Sequence, residues 1–162
     1  MMLISQRGEK MTWICDTCHE TINSVDDGWV EWKSVHKVDG AYGGKIGFRL
    51  VHAGTKGPNG LKGCMYDERG FARGESLADL PMEQFVGADG LMNLMEFLSD
   101  NPGSDELIEM IKRLHVPGYE GVRSHFDRAI SVGVFEPNSK PGFYSQRQIE
   151  RVRTWLEEKK SD

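Results

Sequence analysis

The sequence predicts an α+β fold: a small antiparallel β-rich part over residues 11–75, then a helical bundle of about four helices over residues 76–162. Three observations predict it. Cys15-Asp16-Thr17-Cys18 puts two thiols on one turn, and the chain has a single further cysteine, Cys64. Apolar residues alternate with period two in 29–33 and 46–52. From Ser76 the period lengthens to about 3.6.

Residues 1–10 carry no pattern and read as a disordered leader, with Met11 a possible start. Thr12-Trp13-Ile14 is a short strand entering the Cys15–Cys18 turn. Asp27-Gly28 marks a turn. In Trp29-Val30-Glu31-Trp32-Lys33 the alternation sets Val30 and Trp32 on one face. Ile46-Gly47-Phe48-Arg49-Leu50-Val51-His52 is the clearest strand, with Ile46, Phe48, Leu50 and His52 expected on one face. The glycine-rich stretch Gly54 to Gly63, with Pro58-Asn59-Gly60 at its tip, lacks the GKS or GKT ending of a phosphate loop. Its expected task is to return the chain from His52 to Cys64, with glycine supplying positive φ angles.

Ser76-Leu77-Ala78-Asp79 has the spacing of a capping box and predicts a short helix, and Pro81 can open a further turn. Asp89 is the expected cap of a helix with Leu91, Leu94, Met95 and Leu98 along one stripe. Met92 and Met95 are expected to belong to the core. Asn101-Pro102-Gly103 stops that helix. Ser104 caps the next, with Leu107, Ile108, Ile111 and Leu114 on one face. One helix opening at Pro117 is expected to carry Tyr119, Val122, Phe126 and Ile130 and to end near Gly133. The last helix has the strongest start: Ser145 as N-cap, Gln148 three residues on, and a staple from Tyr144 to Ile149. Ile149, Val152, Trp155 and Leu156 form its apolar face.

Two cysteines two residues apart are half of a tetrahedral zinc site. Cys15, Cys18 and Cys64 supply three ligands. The fourth could be His52, His36 or His19, and His52 is best placed, because it ends a strand and the loop after it leads to Cys64. His19 would have to ligate from a tightly bent backbone. Four protein ligands leave no open position, so the expected zinc is structural. Cys15-x-x-Cys18-His19 also fits c-type haem attachment, but that leaves Cys64 without a role. A thioredoxin-type pair would open a helix in a βαβ unit, a setting this segment lacks.

Trp13-Ile14-Cys15-Asp16-Thr17-Cys18-His19-Glu20 resembles the zinc-ribbon and zinc-knuckle proteins over about a third of the chain. A second C-x-x-C is missing, which counts against a ribbon-type nucleic-acid role. Arg113-Leu114-His115-Val116-Pro117-Gly118-Tyr119-Glu120 and Phe143-Tyr144-Ser145 resemble small bacterial or phage proteins of no assigned function. The resemblance implies a bacterial or phage origin and a cytoplasmic setting.

Composition also points to the cytoplasm: no apolar run is long enough to cross a membrane, and three cysteines do not make a secreted disulfide framework. Net charge is −5, which disfavours a general nucleic-acid coat. The charge is uneven. Residues 1–111 carry ten Lys/Arg against eighteen Asp/Glu, whereas residues 112–162 carry ten against seven. The basic excess nominates Arg123, Arg128, Arg147 and Arg151 as partner-binding residues. A helix-turn-helix around Val116-Pro117-Gly118 would present Arg123, Ser124 and Arg128 to DNA, but Glu120 and Asp127 on the same helix oppose it.

No nucleophile with an adjacent base is visible, and no G-x-S-x-G, H-E-x-x-H or Walker pattern occurs. His115 or His125 with Glu120 or Asp127 would be the acid–base candidates. At a helix end, His115 is expected to be partly cationic. The expected function is a non-enzymatic, zinc-stabilised binding or regulatory protein acting on a protein partner. A nucleic-acid-binding regulator and a zinc-dependent hydrolase are the alternatives.

Overall fold

A computed structural model describes residues 11–58, 63–137 and 140–161. The expected disordered leader and the Asn59-Gly60 tip lie outside them. The fold is α+β, with two small antiparallel sheets and helices, and the chain forms two compact units that divide between His115 and Val116. The expected division at 75/76 falls inside the first unit, at the start of a strand. No described helix is long and apolar enough to cross a membrane.

In the first unit, β1 (Trp13–Ile14) and β2 (Thr21–Ile22) pair antiparallel, with Trp13 opposite Ile22, and enclose the Cys15–Cys18 turn. β3 (Gly28–His36) is the centre of a three-stranded sheet, flanked by β4 (Tyr42–His52) and β5 (Glu75–Pro81). Val30 and Trp32 are buried together, as the alternation requires, and Glu31 on the other face is buried too.

β4 departs from simple alternation. The register with β3 shifts between Glu31 and Lys33, and Gly47 sits at φ +67. Such a bulge re-aims the side chains before it. Ile46 is therefore exposed, while Phe48, Leu50 and His52 are buried as expected.

The predicted helix at 76–79 is instead β5. Ser76 pairs with Ser34 and Ala78 with Trp32. A four-residue capping signal is weak beside a full antiparallel ladder to the central strand, so tertiary pairing overrides it. A single 3-10 turn, Met82–Phe85, follows Pro81.

Two helices complete this unit. α1 (Gly87–Asp100) starts two residues before Asp89, which lies in its first turn where a carboxylate suits the dipole. Leu94 is fully buried. Met92 and Met95 are exposed, not core, because Phe97 fills the aromatic cluster with Trp32, Phe48 and Phe85. α2 (Asp105–His115) is capped by Ser104, whose Oγ accepts from the Leu107 N–H at 3.3 Å. Leu107, Met110 and Leu114 join Leu94 in the core under the sheet.

The second unit is helical. The helix expected from Pro117 is broken into α3 (Tyr119–Val122), a 3-10 turn and α4 (Phe126–Ser131), because Val122 and His125 take φ of −125 and −110. Tyr119, Val122 and Phe126 still face one core with Phe135, Ile149 and Val152. α5 (Gln146–Ser161) opens on a complete capping box: the Gln148 N–H donates to Ser145 Oγ at 3.3 Å, and Gln148 Oε1 accepts from the Ser145 N–H at 2.9 Å.

Candidate metal centre

Cys15, Cys18, His52 and Cys64 converge. Their four ligand atoms all lie within 4.8 Å of one another, and Cys18 alone of the four is not fully buried. Three elements bring them in: the β1–β2 hairpin carries two, the end of β4 carries His52, and the loop after it returns Cys64.

The hairpin turn is self-supporting. The Cys15 N–H donates to Glu20 O and the His19 N–H to Cys15 O, both at 3.0 Å. His19 takes the left-handed conformation, φ +62, that closes the turn. Its side chain is exposed, and it is not part of the cluster. His36 ends β3 and stacks edge-on near Tyr42.

His52 has its tautomer fixed. Nε2 lies 3.2 Å from the carbonyl oxygen of Thr21, which can only accept. Nε2 therefore carries the proton, and the Nδ1 lone pair is left facing Cys18 Sγ at 3.4 Å and Cys64 Sγ at 3.8 Å. A carbonyl that orients a histidine from behind is the usual support of a ligating imidazole.

The thiols do not titrate alike. Burial raises the Cys15 pKa, but N–H groups of Cys18, Thr17 and His52 aimed at its sulfur outweigh burial and bring it down to about 7. Burial, with Cys18 and Cys15 beside it, pushes the Cys64 thiol up to about 12. With burial and two neighbouring sulfurs against it, Cys64 ionises readily only with a cation beside it. The donor set is thus one that could hold a metal ion.

Several residues that fix the site are not apparent from ligand spacing. Inside the C-x-x-C turn, Asp16 N donates to Leu50 O at 2.8 Å, and Asp16 Oδ2 accepts from Leu50 N at 2.7 Å. Thr17 Oγ1 donates to Cys64 O at 2.6 Å. Arg113, buried on α2, donates to Asp16 Oδ2 at 2.6 Å and to Ile14 O at 2.8 Å. Glu31 is fully buried. Its Oε1 accepts from Arg49 and its Oε2 accepts from the Tyr66 N–H at 3.0 Å, while Arg49 also reaches Cys64 O at 3.4 Å. Gly57 has an ordinary φ of −90, so its role is space and not conformation. A Cβ there would stand 2.9 Å from both Cys64 Sγ and His52 Cβ. The positive φ expected of this loop is met at Gly54, φ +46.

The other candidates are dispersed. Arg123 is held by Glu120 at 3.1 Å, Arg128 is exposed on α4, and Arg147 and Arg151 line a cleft beside α5. His115 corrects the expectation of a partly cationic helix-end imidazole. It is half-buried on the Phe85 carbonyl at 2.8 Å, and burial moves its pKa down, away from the charged form.

Comparisons with protein-family models, with curated proteins and with solved structures give no match to this chain.

Proposed function

We propose that the chain is a non-enzymatic, zinc-stabilised binding protein that acts on a protein partner. The observation that carries this reading is the closed Cys3His cluster set in the wall of the first unit's core. Zn–S near 2.3 Å and Zn–N near 2.0 Å imply tetrahedral edges of roughly 3.5–3.8 Å. The Nδ1–Sγ separations of 3.4 and 3.8 Å suit that ion. Three thiolates also favour zinc over hard, oxygen-seeking cations.

With four protein ligands such an ion has no position for a substrate or an activated water. This supports a structural metal over the zinc-dependent hydrolase. The ion's contribution is to tie hairpin, strand end and return loop into one body, on which other surfaces are displayed. A nucleic-acid role has less support: Arg123 is occupied by Glu120, and the net charge is −5.

The test is metal analysis with X-ray absorption on protein purified without added zinc. About one zinc per chain, with three sulfurs, one nitrogen and no oxygen ligand, is expected. A water ligand, or hydrolysis of ester or peptide substrates that tracks metal content, would replace this reading with the hydrolase. Recovery of the chain from its source cells free of any cross-linked protein would remove the partner.

A further inference from the structure

The second unit carries a cleft of about 530 Å³ between the Gly133–Glu136 turn and the first two turns of α5. Its walls are pinned. The Gln148 side chain accepts from Ser145 at the helix start and donates through Nε2 to the Glu136 carbonyl at 3.1 Å. Arg147 and Arg151, one helical turn apart, both line it. Like charges at that spacing repel. Two other arginines of this unit are neutralised, Arg123 by Glu120 and Arg153 by Glu150, whereas Arg128 is exposed on α4 and lies outside the cleft. Among the described residues no carboxylate pairs with Arg147 or Arg151. Two uncompensated guanidiniums in a pre-formed cleft are an arrangement that an oxyanion would complete.

We propose that this cleft binds a carboxylate-bearing acidic peptide segment of the partner protein. Glu136, an exposed acidic residue that lines the opposite wall, limits the choice. It tolerates an isolated acidic group held by the arginines but repels a continuous polyanion, so a peptide is favoured over a nucleic-acid backbone. Val134, half-buried on the same wall, offers the peptide an apolar rest. This rests on the partner-binding reading above and specifies the surface it uses.

The test is an NMR titration of the ¹⁵N-labelled full chain, zinc-loaded, with a capped Ala-Ala-Glu-Ala-Ala peptide, its capped Ala-Ala-Gln-Ala-Ala counterpart and a short single-stranded oligonucleotide. The glutamate peptide should shift the amides of 133–136 and 145–151, with binding weakened by added salt. The glutamine peptide should not. Arg147→Gln with Arg151→Gln should weaken binding of the glutamate peptide about tenfold or more, with the remaining spectrum unchanged as proof of folding. Shifts outside the cleft, or equal binding by the double variant, would overturn the proposal. Tighter binding of the oligonucleotide at the cleft would overturn the peptide in favour of a nucleic acid. Failure here is separable from failure of the wider reading. A partner captured equally by wild type and double variant removes only the cleft, whereas no captured partner removes the reading it rests on.

Discussion

Arg49→Met should be among the most costly single changes outside the four ligands. Glu31 is 0% exposed, and among the described residues Arg49 is its one charged partner. The substitution leaves a buried carboxylate with one hydrogen bond among the described residues, from the Tyr66 N–H at 3.0 Å. Asp79 stands opposite Glu31 in the ladder, and its charge already raises the Glu31 pKa. Breaking a buried pair from one side costs about 3–5 kcal/mol. At about 4 °C per kcal/mol for a unit of this size, the melting temperature should fall by roughly 12–20 °C.

The pH dependence has a definite sign. Burial raises the folded-state pKa of Glu31 above its ordinary value, and Arg49 opposes that rise. Without Arg49 the folded pKa climbs further, so the folded state takes up a proton before the unfolded chain does. The deficit of the variant is then largest above the raised pKa and shrinks as the pH falls toward about 4.5. Urea unfolding at pH 7.5 and 5.5, with saturating zinc, measures this. Adding Glu31→Gln should recover at least half of the loss at pH 7.5, since a neutral amide needs no counter-charge. A deficit below about 1 kcal/mol that ignores both pH and Glu31→Gln would refute the argument, because the cost would then be ordinary packing.

On the structural-zinc reading proposed above, Cys64→Ser and Cys64→Ala should both abolish metal binding and unfold the β-rich part, since such an ion would contribute on the order of 10 kcal/mol of apparent binding energy; circular dichroism and metal content check this, and a mild, metal-retaining shift would exclude a structural role for the ion. Gly57→Ala should lower zinc affinity roughly tenfold in chelator competition through its 2.9 Å approach to Cys64 and His52, whereas Gly54→Ala, strained at φ +46 but with open space around it, should cost stability and leave affinity unchanged. His115, depressed by burial, contributes stability that is complete above about pH 6.5 and declines as the pH falls through the window below it. His115→Gln keeps a donor for the Phe85 carbonyl and should flatten that part of the melting-temperature profile.

The elements legible in the sequence were those whose signal is local. The α5 start was legible because Ser145 and Gln148 satisfy each other across three residues. Ser76-Leu77-Ala78-Asp79 has similar spacing and misled, because its fate is decided by strand β3, more than forty residues earlier. Met92 and Met95 misled for a related reason. Periodicity gives a stripe, but which part of the stripe is covered depends on Phe97 meeting Trp32 and Phe48 from the sheet. The break between α3 and α4 had no clear sequence mark beyond Gly121, since the apolar spacing runs straight through it.

For the candidate site the same distinction separates ligands from supports. Cys15 and Cys18 announce themselves by spacing, and His52 by its place at a strand end before a return loop. The supports come from far along the chain: Arg113 reaches Asp16 across 97 residues, and Glu31 reaches Tyr66 across 35. Nothing in Cys15-Asp16-Thr17-Cys18 says that Asp16 will extend the ladder beside Leu50, or that Thr17 will hold the Cys64 carbonyl. These contacts join the two ends of the ligand set through the protein itself. Hairpin and return loop are therefore held near one another by Asp16, Thr17 and Arg49 as well as by any ion, so part of the ordering cost of the site is met by the fold. On this argument, Asp16→Ala, Thr17→Val or Arg49→Met should weaken metal binding in chelator competition without removing a single ligand, and unchanged affinity in all three would refute it.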